Sequence, residues 1–206
     1  MAITASRPAR AHDDGVEGNE RLTGLVGALL LAPLAVEGLT ILRIGQLLWL
    51  HMFLGMVLVG IIALKLASTG YRFAGYYRGR SSYVAKGPPI TPLRLLAVPV
   101  VLSTLGVMIT GILLLLLGPS SRQPLELVHK VCFIVWIAVT AVHVLAHLKD
   151  SFDSVGAEVA PLATGTPQVS RRGARLLALG TAVMIGVIIA LITLPQFGAW
   201  TSAYGH

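Results

Sequence analysis

The sequence predicts an all-α integral membrane bundle of five transmembrane helices, and three observations carry that prediction. Only 12% of its 206 residues are charged while 55% are hydrophobic, against roughly 25% charged in soluble domains. Apolar runs of about the 20 residues needed to cross hydrocarbon recur from Leu22 almost to the C-terminus. The runs lack the short-period alternation of a membrane barrel, so their backbone hydrogen bonds must be made within helices.

Taken in order, residues 1–21 are polar and carry Asp13, Asp14, Glu17 and Glu20, with no apolar core ahead of Arg21 to act as a signal peptide. A retained, flexible tail is expected there. The first span, 23–42, contains Pro33 and Glu37, and the second, 45–68, contains His51 and Lys65. The stretch from Tyr71 to Pro89 is rich in aromatic and basic residues and has no acid, the composition of a loop lying against a membrane face. The third span is 94–117, with Pro99 inside it; the fourth, 126–148, carries His129, His143 and His147. Pro33 and Pro99 read as kinks in continuous helices. Residues 22–148 thus form a four-helix membrane domain. Residues 149–173 read as a linker, because Ser151 to Ser170 is rich in Ala, Gly, Thr and Pro. Residues 174–206 supply a fifth span, 174–195, and a short tail.

The net charge of +7 does not indicate nucleic-acid binding, because the basic residues are spread over loops and not gathered on one module. They report topology instead. Twelve of them, from Arg7 to Arg175, fall in the N-terminal tail, the loop after the second span and the loop after the fourth; Arg43, Arg122 and Lys130 fall on the opposite side. This asymmetry places the N-terminus in the cytoplasm and the C-terminus outside, as in a bacterial plasma membrane. The single cysteine, Cys132, rules out an intrachain disulfide and a Cys-based metal site built from this chain alone.

Ionisable side chains in a membrane span are costly and point into the bundle. His129 and His143 are fourteen residues apart, which is about 21 Å along a helix and only about 40° around it, so they stack on one stripe. The second and fourth spans run in the same direction, and His51 and His129 lie near the start of each. At matched depth they can clamp one iron from opposite faces. Fourteen residues beyond His51 comes Lys65, level with His143. A lysine ligates iron only as the neutral amine; the alternative is that it snorkels to the interface. His147, one turn past His143, is a rival inner ligand or an edge contact. Arg72, Arg78 and Arg94 are candidates to meet haem propionates or an acidic partner. Glu37 is expected to pair with Arg43 or Lys130, to stay protonated, or to accept a proton from a quinol. Gly24 and Gly38 repeat the fourteen-residue interval on the first span and make room for close neighbours.

On His51, His129, His143 and these paired glycines the chain resembles the cytochrome b superfamily of membrane four-helix bundles. That superfamily includes the di-haem subunits of quinol oxidoreductases and the cytochrome b subunits of hydrogenases and formate dehydrogenases. The resemblance covers residues 23–148 and implies axial roles toward haem b for His51 and His129, and a second haem at His143. The sequence departs from the pattern at Lys65, where a fourth histidine is expected, so one haem, or one ordinary and one His/Lys haem, both fit. The resemblance implies an electron-transfer subunit of an oxidoreductase complex, working with a quinone or a redox partner subunit in the lipid. The rival is a haem-free transporter or assembly subunit, in which Glu37, Lys65 and the histidines line a polar pathway.

Overall fold

In a computed structural model the described residues are 14–87, 90–164 and 171–204, and they are helical almost throughout. The helices are α1 (Asp14–Leu42), α2 (Ile44–Tyr77), a short α3 (Ser81–Lys86), α4 (Thr91–Leu117), α5 (Arg122–Thr164) and α6 (Arg172–Tyr204). All but α3 are long and apolar enough to cross a membrane. Large apolar side chains face outward along the bundle, among them Leu95, Leu145, Leu177 and Ile192. Such exposure suits lipid as the surrounding medium, not water.

Helices α1 and α4 run through Pro33 and Pro99, as expected, and α6 runs through Pro195. Only Arg43 separates α1 from α2, so the two are antiparallel neighbours. At its other end α4 stops at Gly118, whose φ of 77° is open to glycine and costly for other residues. A single 3-10 turn, Pro119–Ser121, then reverses the chain into α5.

Helix α1 packs on α2 and α5, α4 packs on α5, and α2 meets α4 only sparsely. The four therefore form a ring in which α2 and α5 stand diagonally opposite. Val26 and Leu30 of α1 bury against Leu58 and Ile61 of α2. Helix α6 lies along α2, and its Ala190, Phe197 and Trp200 share a core with Met52, Met56 and Leu115. The α2–α6 crossing is close because both helices present glycine: a Cβ on Gly60 would run into the Ala182 carbonyl, and one on Gly186 into the Val57 carbonyl.

Two expected boundaries are corrected. Residues 14–21, read as tail, are the first turns of α1; residues 149–164, read as linker, are the last turns of α5. At about 51 Å and 64 Å, α2 and α5 outrun the roughly 30 Å of hydrocarbon, and their polar ends are held by partners that no local pattern reveals. Arg21 of α1 donates to the Ala157 carbonyl at 3.2 Å and pairs with Glu17 at 2.7 Å. Arg175 of α6 forms a buried, two-pronged pair with Glu158 of α5, at 2.7 and 2.9 Å. The Tyr71–Pro89 loop is also largely helical, as the end of α2 and as α3; residues 1–13, 88–89, 165–170 and 205–206 lie outside the described residues.

Candidate functional site

His51 is the eighth residue of α2 and His129 the eighth of α5. Both helices start at the same end of the ring, so both imidazoles lie near that end; Gln123, at φ −102° and ψ 133°, breaks the helical geometry of α5 ahead of His129. Each imidazole is tethered by a threonine of an adjacent helix. Thr40 Oγ1 of α1 lies 2.9 Å from His51 Nδ1, and Thr110 Oγ1 of α4 lies 2.8 Å from His129 Nδ1.

The direction of these bonds follows from where the hydroxyl protons go. Thr40 donates to the Glu37 carbonyl at 2.6 Å and Thr110 to the Gly106 carbonyl at 2.6 Å. A hydroxyl has one proton, so each threonine accepts from its histidine, and the ring proton is on Nδ1. Glu37 Oε1, 3.0 Å from His51 Nδ1, accepts from the same N–H. Both imidazoles are thereby left with an unprotonated Nε2, the lone pair a metal needs.

His51 and His129 line one cavity of about 670 Å³ between the diagonal helices, within the size range of cofactor sites. Its walls come from α1, α2, α4 and α5, with Trp200 of α6 closing one side. The lining is apolar except for a few groups: the two histidines, Glu37, Thr104 and Thr140, and Glu126 with Lys130. Gly38 and Gly111 widen it, since a Cβ at Gly38 would meet nothing within 4 Å and one at Gly111 would press on His129 Cε1 at 3.2 Å. Trp136 donates to Thr104 Oγ1 at 3.1 Å, which fixes its indole along the wall.

No family model, curated protein or solved structure matches the chain.

The donor set itself can be tested for fit. Among the described residues no three His, Cys, Asp or Glu side chains gather into a metal-ion site. Two imidazoles with free Nε2 atoms suit a metal whose remaining ligands come with it, in a flat macrocycle, and the apolar cavity and its glycines suit the macrocycle.

The other expected site residues are placed elsewhere. Lys65 and His143 are within electrostatic reach of each other, as their register predicts, but neither lines the cavity. His143 packs its ring on His147 at 4.8 Å, and His147 Nδ1 lies 3.3 Å from Asp150. Arg72 faces Glu20 at 3.8 Å, about 32 Å along α2 from His51, and exposed Arg94 begins α4 at that same far end. The cation that does border the cavity is Lys130, 2.6 Å from Glu126, which also pairs with Arg122. Glu37 turns to His51 and not to Arg43 or Lys130, and its Oε2 is buried without a hydrogen-bond partner.

Proposed function

We propose that the chain is a b-type cytochrome subunit of a membrane oxidoreductase, carrying electrons between a quinone or a partner redox subunit and an acceptor. The observation that supports this most is the pair of imidazoles on diagonal helices near the same end of the ring. Both face one apolar cavity, and both are tethered through Nδ1 so that Nε2 is free. His51 and His129 would hold the haem, which when bound would supply a one-electron couple.

The rest of the site positions and shields. Thr40, Thr110 and Glu37 fix the imidazole tautomer and hold each ring against rotation. The apolar walls exclude water, which sets the polarity around the couple. Lys130 brings positive charge to the cavity edge, where the carboxylates of a propionate-bearing ligand would find it. Glu37 keeps a proton acceptor beside the same site. The excess of basic residues on the opposite side supports a plasma-membrane protein with the His51 end facing outward.

The test is colour. Protein purified from haem-replete cells should show a Soret band and sharp reduced α bands. His51→Ala and His129→Ala should each lose them while keeping the wild-type helical circular dichroism. A colourless wild-type protein that is properly folded refutes the proposal and leaves the polar-pathway reading standing.

A further inference from the structure

The fourteen-residue glycine repeat on α1 is put to opposite uses at its two positions. Gly38 opens onto the cavity, with nothing within 4 Å of the place a Cβ would take. At Gly24 that place is already occupied by the Ser154 side chain of α5. One turn along, a Cβ on Gly27 would lie 2.9 Å from Ser151 Oγ and 3.1 Å from Lys65 Nζ. The first glycine makes room for a guest, whereas the second lets α5 close onto α1.

Lys65 belongs to that closure. Its Nζ donates to the Thr23 carbonyl of α1 at 2.6 Å, so the amine points to α1 and not across the ring toward α5. The cavity runs along α2 as far as Ile62 and along α5 as far as Val144 and Leu145, yet neither Lys65 nor His143 lines it. His143 in turn packs against His147, its neighbour on α5. A second porphyrin would have to displace the Lys65–Thr23 bond and the seating of α5 serines on α1 glycines.

We infer that the chain holds one haem, at the end where α2 and α5 begin, and that Lys65 seals the second position without ligating iron. This deepens the cytochrome reading and rests on it. About 21 Å of helix separates the level of His129 from that of His143, with no second centre to bridge it. Electron donor and acceptor must therefore both reach the His51 end, on one face of the membrane.

Two measurements on the full-length protein decide the matter. The haem-to-chain ratio should be one, and Lys65→Met and His143→Ala should each keep that ratio and the wild-type reduced spectrum. A ratio of two, or loss of a distinct haem signal in either variant, overturns the inference and leaves the cytochrome reading intact. If Lys65→Met does not fold, the wild-type ratio and His143→Ala still decide. In vesicles of known orientation, a membrane-impermeant reductant should reduce the haem from the His51 face at least about tenfold faster than from the other. Equal rates overturn the one-face conclusion. A colourless wild type sinks the cytochrome reading itself, a different outcome from either.

Discussion

The hydroxyl of Thr110 is the best single test of how the site is held. Thr110→Val keeps the shape of the side chain and removes the side-chain oxygen bonded to His129 Nδ1. Two routes give the size of the effect. Losing an outer-shell partner of a metal-bound histidine weakens metal affinity by about 10–100-fold, which is about 1.4–2.8 kcal/mol. Leaving a buried N–H without its acceptor costs about 1–3 kcal/mol, in agreement. Thr40→Val should cost less, because the Glu37 carboxyl, with Oε1 3.0 Å from His51 Nδ1, is the stronger remaining acceptor. The double variant Thr40→Val with Glu37→Leu, which removes both acceptors, should bring the loss on that side up to the Thr110 level. The assay is transfer of haem to excess apomyoglobin, followed at the Soret band. Ser103→Ala, which removes a hydroxyl bonded to carbonyls of its own helix, is the control and should change nothing. Wild-type haem retention in Thr110→Val would refute the tether, and with it the assignment of the Nδ1 proton.

Three further outcomes are expected. Gly186→Ala puts a methyl against the Val57 carbonyl and should lower stability in detergent by about 1–3 kcal/mol, read as an earlier unfolding midpoint. Gly38→Leu should leave that midpoint near wild type, because the space there is open, yet cut haem loading severely when the bound haem is quantified per chain. Arg175→Ala leaves the buried Glu158 carboxylate with the more distant Arg21, 4.0 Å away, and should cost about 3 kcal/mol, the low end for breaking a buried pair; adding Glu158→Ala should recover part of that loss in the same unfolding assay.

The parts of the molecule legible in the sequence are those fixed by solvent and by helical period. Lipid demands long apolar helices, and His51 and His129 stand out as ionisable groups near the starts of two co-directional spans. Their threonine partners give no such signal. A threonine in a membrane helix ordinarily bonds its own preceding carbonyl, as Thr40 and Thr110 do, and its second role depends on which helix lies alongside. The end of α5 is hidden for a similar reason. Ser151, Ser154 and Glu158 look like linker residues until Gly24, Gly27 and Arg175 arrive from distant parts of the chain to pair with them. Charge alone draws Arg72 and Arg94 to the site, whereas Lys130, which the sequence offers as a topology marker and as a partner for Glu37, is the cation that borders the cavity.

Trp200 walls the cavity from α6, which follows every other wall helix in chain order. During synthesis α1 to α5 can enter the bilayer and form their ring, but the compartment stays open on one side until α6 emerges and settles along α2. Enclosure of anything inside is thus a late event in biogenesis, timed by the moment α6 leaves the ribosome. Nascent chains halted before that point would carry the walls supplied by α1, α2, α4 and α5 but lack Trp200.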